Sequence, residues 1–245
     1  MTISGNEYKT IVLASIVVAL TLAFDDGRKV FVWRYWVSNF LITVIIVIIL
    51  LLIFIQSTKY IAKKAGLKST FGIWEIKRTG ISRGAVVKTG LYVGMFIPIV
   101  VAFATQGKIP CGTAMQYEVE VDSAAKRWGR KFHYIEDKER ARIAVAGPFT
   151  MMMLALLVKI INFPFAEKVV LGALTLAVST MLPLPKLNGL QAFMASRPMY
   201  TFYGVFIVIT TVFMKVVSPI LLFCIGILLA MGTMIFEYYK VEAGL

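Results

Sequence analysis

One histidine, His133, and two cysteines, Cys111 and Cys224, are all that this 245-residue chain offers of the side chains that grip soft metals. The cysteines stand on different segments, which gives neither a disulfide framework nor the close spacing of a zinc site. Acids are scarce too, 13 against 26 lysines and arginines, for a net charge of +13. No internal repeat or low-complexity tract interrupts the chain. The first apolar stretch lacks a basic region before it, so it reads as a retained helix and not as a cleaved signal.

What is abundant is hydrophobicity. Apolar residues make up 59% of the chain and the mean hydropathy is +0.80, against about 45–50% apolar in a soluble domain. Ser38–Ile55 is apolar apart from Ser, Asn and Thr, close to the run of about 20 residues that a spanning helix needs. Similar stretches are Tyr8–Phe24, Val86–Thr105, Ile143–Phe163, Lys168–Leu184, Tyr200–Val217 and Pro219–Tyr238, and the second span is carried on to residue 60. The expectation is an all-α polytopic membrane protein, a single membrane domain over 1–245 with about six transmembrane helices. The positive charge then serves orientation and anionic headgroups, with the lipid bilayer as partner and no nucleic acid.

Lysine and arginine placement predicts the topology. Ser57–Ala85 carries Lys59, Lys63, Lys64, Lys68, Lys77, Arg78 and Arg83 against Glu75 alone, and the polar insert 106–142 is also rich in bases. Placing both in the cytoplasm puts both termini there, in a plasma membrane. Val86–Thr105 must then return to its own side as a re-entrant hairpin rather than add a span, in keeping with Gly90, Gly94 and Pro98. Within the insert, Ala114–Val121 alternates in the period-2 manner of a half-buried strand, and 138–148 reads as a charged helix start. Lys159, Lys215 and Glu237 lie near span ends as interface anchors, which leaves no ionisable residue at mid-membrane to mark an ion path.

Three short stretches are more distinctive: "FIQSTKYIAKKAG" at 54–66, "RIAVAGPF" at 142–149 and "TMLPLPKLNG" at 180–189. In this order they resemble the site-2 proteases, the M50 family of intramembrane zinc metalloproteases, and in particular its compact archaeal branch. The resemblance covers most of the chain. In the family, a His-Glu-x-x-His helix is followed by a hairpin and strand region, then Ala-Gly-Pro, then Asn-x-x-Pro-x-Pro-x-Leu-Asp-Gly. The matching scaffold here is Gly147, Pro148, Thr180, Pro183, Pro185, Leu187 and Gly189. The family's zinc ligands fall on Gln56, Tyr60 and Asn188, and its general base on Ser57.

The resemblance therefore implies a peptidase framework without its chemistry. A catalytic zinc takes three ligands from His, Cys and carboxylate and keeps one position open. Neutral amides, a phenol and a hydroxyl supply neither that donor set nor a base near neutral pH, so no zinc and no catalytic residue is expected. A serine–lysine nucleophile from Ser57 and Lys59 fails on geometry, because residues two apart on a helix do not face each other. Lys59 is expected to snorkel to the headgroups, and His133, near Glu136 and Asp137, to be a solvated surface residue. Gln56, Ser57, Tyr60, Thr180 and Asn188 are expected to hydrogen-bond to one another across two helices. The implied function is a pseudoprotease that binds a transmembrane client or acts as a scaffold. The alternative is a structural subunit of a larger membrane complex, with an active protease or a transporter ranked below both.

Overall fold

The computed structural model describes residues 4–25, 32–78, 86–121, 135–161 and 163–242. The first helix, α1 (Gly5–Leu22), opens on a capping box. Ser4 Oγ accepts from the Glu7 N–H at 3.4 Å, and Glu7 Oε2 accepts from the Ser4 N–H at 2.7 Å. Two donors that a helix start leaves orphaned are thereby satisfied. Helix α2 (Trp33–Lys64) has 32 residues, about 48 Å at the α-helical rise, longer than a hydrocarbon core of about 30 Å. Trp33, Trp36 and Phe40 stack at its start and Lys63 and Lys64 fill its last turn, the aromatic and basic ends of a membrane helix. Gly66, at φ 70°, takes the left-handed position beyond α2 that costs glycine nothing.

From there the chain enters a mixed region of β1 (Leu67–Ile73), β2 (Ile76–Arg78), β3 (Val86–Leu91), α3 (Val93–Ala104) and β4 (Met115–Val121). Strands β1 and β4 pair antiparallel, with Leu67 opposite Val121 and Ile73 opposite Met115. A second antiparallel pair joins β2 to β3, with Ile76 opposite Leu91. The remaining helices are α4 (Asp137–Ile161), α5 (Ala166–Thr180), α6 (Asn188–Ala195), α7 (Arg197–Phe213) and α8 (Pro219–Glu242). Helix α4 is the hub, packed on α2, α5, α6, α7 and α8. Ala141, Ala144 and Ala155 are fully buried along it, and small side chains of this kind let membrane helices approach closely.

Among the described residues three helices, not six, are long and apolar enough to cross a membrane: α2, α4 and α8. The other apolar stretches fall short for physical reasons. At 12, 15 and 17 residues, α3, α5 and α7 reach about 18–26 Å, less than the roughly 30 Å core. Helix α1 spends its first turns on Asn6, Glu7 and Lys9. Val86–Thr105 is not one apolar element: its first part pairs as β3, and α3 follows with Pro98 inside it. Gly94 is where α3 meets the rest, since a Cβ there would lie 2.5 Å from the Ala114 carbonyl oxygen and 2.8 Å from Trp74 Cβ. The strand expected at Ala114–Val121 is present as β4. The charged helix start expected at 138–148 is present: α4 begins at Asp137, and its turn "DKERAR" continues directly into the apolar stretch from Ile143. His133 lies outside the described residues.

Candidate functional site

The buried residues of α2 are Thr43, Val47, Leu50, Leu51, Phe54, Ile55, Thr58 and Ala62. At about 100° per residue they form one stripe, through which Phe54 and Thr58 run as an i, i+4 pair. Gln56 lies roughly half a turn from the centre of that stripe, and Tyr60, 60% exposed, is also on the far side. Ser57 sits at the margin, where its hydroxyl donates to the Phe54 carbonyl at 2.8 Å. The face of α2 turned toward the motif residues of α4 and α6 is therefore that of Phe54, not that of Gln56 and Tyr60.

Asn188 is where the second motif converges on that face. The turn before α6 carries Lys186 at φ 65°, a left-handed backbone that costs a non-glycine residue about 1–2 kcal/mol. Gly189 then packs directly on α5's end: a Cβ there would lie 2.1 Å from the Met181 carbonyl oxygen and 2.5 Å from that of Leu182. Only glycine permits this approach. It buries Asn188 to 2% exposure and lets its Nδ2 donate to the Ala144 carbonyl of α4 at 2.7 Å. One turn on, Gly147 meets the Phe54 ring, which a Cβ would approach to 2.6 Å. Leu187, fully buried, packs with Trp74 and Val93. Pro183 and Pro185 lie in the irregular segment between α5 and α6, and Pro148 lies within α4.

Asn188, Thr180, Phe54, Leu51, Phe71 and Gln116 enclose a cavity of about 10 Å³. A water needs about 10–15 Å³, so the space admits one at most. The polar groups around it are turned away from one another. Thr180 Oγ1 donates to Leu176 on its own helix at 2.6 Å, and Gln116 Oε1 accepts from the Glu75 N–H at 3.1 Å. The expected network linking Gln56, Ser57, Tyr60, Thr180 and Asn188 is not formed among the described residues, because the hydroxyls bond their own helices and Asn188 bonds α4.

Two residues outside the motifs organise the neighbouring sheet. Glu7 Oε2 is 2.7 Å from Lys59 Nζ, with both side chains nearly closed to solvent, and Glu7 Oε1 accepts from the Phe71 N–H of β1 at 3.2 Å. Lys59 therefore turns inward to α1 instead of snorkelling. Burial alone would raise the Glu7 carboxyl. The Lys59 ammonium and the Ser4 and Phe71 N–H groups outweigh it and hold the carboxyl below the usual carboxylate range. On the partner strand, Gln191 Nε2 of α6 donates to the Tyr117 carbonyl at 3.1 Å. Phe71 and Tyr117 stand opposite each other. Opposed residues of an antiparallel pair alternate between exchanging their bonds and pointing them outward. With Glu7 on one and Gln191 on the other, this is an outward-pointing pair, and both open edges of the sheet are capped at its centre. Burial pushes the Tyr117 phenol far above its ordinary range, with Arg140 offsetting part of the effect. Its hydroxyl and that of Ser69 have no hydrogen-bond partner among the described residues.

The donor set does not fit zinc. Asn188, its Nδ2 donating to Ala144, offers only a neutral amide oxygen, Tyr60 faces away, and Gln56 offers a neutral oxygen on the wrong side of α2. Among the described residues no group of three His, Cys, Asp or Glu side chains is placed to hold a metal. Phe54, Ala144, Gln191 and the Glu7–Lys59 pair escaped the sequence reading; the burial stripe of α2 is the signal that would have found Phe54. No family model, curated protein or solved structure matches the chain.

Proposed function

We propose that this protein is a catalytically inactive homologue of the site-2 proteases, a membrane-embedded binding or scaffold protein that engages extended segments of other membrane proteins without cutting them. The observation that carries the reading is the junction at Asn188. The Leu-Asn-Gly turn, Gly147 and the α2 stripe are packed on one another, with Phe54 and not Gln56 or Tyr60 as the α2 residue at the junction. The centre is filled by the Phe54 ring, with about 10 Å³ left beside it. That space does not admit a metal, a nucleophilic water and a peptide together. The binding element in this reading is the outer edge of β4. A client strand adds to it by taking the Tyr117 carbonyl from Gln191, and backbone pairing of this kind supplies affinity largely independent of sequence.

The test is photocrosslinking in native membranes from a reactive residue at Glu118, exposed on β4, in the parent chain and in Gln191→Ala. Adducts to other membrane polypeptides, stronger in the variant whose edge is uncapped, are the expected result. Adducts to lipid and to the chain itself alone would overturn client binding. Elemental analysis of the purified protein addresses the inactive centre separately: zinc near zero is expected, and stoichiometric zinc together with peptide cleavage defeats it.

A further inference from the structure

A cavity of about 720 Å³ runs along α5, from Ala166 to Ser179, bordered by the ends of α4 and α7. That is within the range of about 300–1,000 Å³ usual for small-molecule sites. Its walls are apolar, built from Val170, Leu171, Leu174, Val178 and Met214. Thr175, Ser179 and Thr211 also line it, and two of their hydroxyls are engaged: Ser179 Oγ accepts from the Gly112 N–H at 2.9 Å, and Thr211 Oγ1 donates to Ile207 at 2.7 Å. Its rim is charged. Lys159, in the last turn of the long apolar helix α4, and Lys215, just beyond α7, both border it, with Glu167 of the first turn of α5. All three are exposed, and none forms an ion pair among the described residues.

A lysine at the end of a helix complements the helix dipole, which accounts for either one alone. It does not account for two from separate helices on the rim of one greasy cavity. Two ammonium groups against one carboxylate leave a positive rim over a hydrocarbon-lined interior, at the level where a long apolar helix ends. That combination matches one kind of molecule, a lipid whose headgroup carries a phosphate and a net negative charge.

We propose that this groove is a specific site for one anionic phospholipid. One acyl chain lies along α5 against Val170 and Leu174, the phosphate is held by Lys159 and Lys215, and a headgroup hydroxyl donates to Glu167. The proposal is independent of any role at Asn188. No covalent step is involved. The lipid fills the space between α5 and α7 and so makes the outer end of the bundle dependent on membrane composition.

Native mass spectrometry of the detergent-purified chain tests this, with phosphatidylglycerol and phosphatidylcholine of identical acyl chains added in graded amounts. A single phosphatidylglycerol is expected to survive activation that strips phosphatidylcholine. The double variant Lys159→Gln/Lys215→Gln is expected to lose that preference about tenfold. Leu171→Trp, which keeps both lysines and fills the groove, is expected to lose retention of either lipid. Millimolar inorganic phosphate should leave the lipid in place. Equal retention of the two lipids, undiminished selectivity in the double variant, or displacement by phosphate alone would overturn the site.

Discussion

The Lys59 ammonium lies 2.7 Å from the Glu7 carboxylate, and the same carboxylate caps α1 and accepts from the Phe71 amide of β1. One side chain thus ties together the start of the first helix, the end of the long apolar helix and a strand edge. A buried ion pair is not in itself strong evidence of stability, because desolvation offsets the attraction. Removing one partner, however, strands the other and costs about 3–5 kcal/mol. Glu7→Gln and Lys59→Met are therefore each expected to lower the thermal midpoint in detergent by many degrees. The double variant should recover part of the loss, since it leaves no lone charge. A double variant as unstable as the sum of the singles would show that the two residues act separately.

The same carboxyl makes stability fall in acid. Its pKa is depressed in the folded protein, so the stabilisation is fully present above the ordinary carboxylate range. It is lost as pH falls through that range toward the lowered value, where the folded carboxyl itself takes a proton. The melting midpoint of the parent is expected to drop on acidification from pH 6 toward pH 3. In Glu7→Gln the drop should be shallower by the part this group contributes. Parallel melting curves for the two proteins would remove Glu7 from the account.

The close approaches at two glycines differ in what must yield. At Gly189 a new Cβ meets backbone carbonyl oxygens of Met181 and Leu182, which cannot move without dislodging α5. Gly189→Ala is expected to abolish the folded state or to cost more than about 3 kcal/mol. At Gly147 the obstacle is the Phe54 ring, so Gly147→Ala should be destabilising alone and partly rescued by Phe54→Leu. Chymotrypsin resistance of the four proteins in membranes measures both claims, and an additive Gly147/Phe54 pair would argue against the contact.

Much of this arrangement was legible in the residues, and the boundary between legible and hidden is physical. Hydropathy located α2, α4 and α8 because long apolar helices carry their signal locally. Alternation located β4 for the same reason. Hydropathy overcounted spans at α1, α5 and α7: α5 and α7 are too short for a bilayer core, and α1 opens on polar residues. The motif frame at 180–189 pointed to a real turn, since prolines and glycine there answer local backbone demands. The frame at 56–60 did not show which face of α2 looks inward. That depends on the register of the whole stripe from Thr43 to Ala62, in which Phe54 and Thr58, not Gln56 and Tyr60, face the core. The Glu7–Lys59 pair joins residues 52 apart in sequence, and nothing local announces it.

Asn188 offers the sharpest test of the filled centre. Its amide donates to the Ala144 carbonyl at 2.7 Å from a position that is 2% exposed. Asn188→Asp replaces the donor by an acceptor of the same shape, setting a carboxylate against a carbonyl oxygen in a dry site. The fold then favours the protonated acid, which can still donate, so the variant's carboxyl is raised relative to the unfolded chain. By linkage, its stability deficit is small below the ordinary carboxylate range and grows as pH rises through it. Near neutral pH the penalty is expected at about 1–3 kcal/mol or more, the cost of a buried group left without its partner. The measurement is the melting midpoint of Asn188→Asp minus that of the parent, at pH 5 and at pH 8. A larger deficit at pH 8 is the expected result. A deficit that shrinks at pH 8, or that disappears on adding zinc, would mean a site able to receive a cation beside residue 188, contrary to the packing of Phe54 against it.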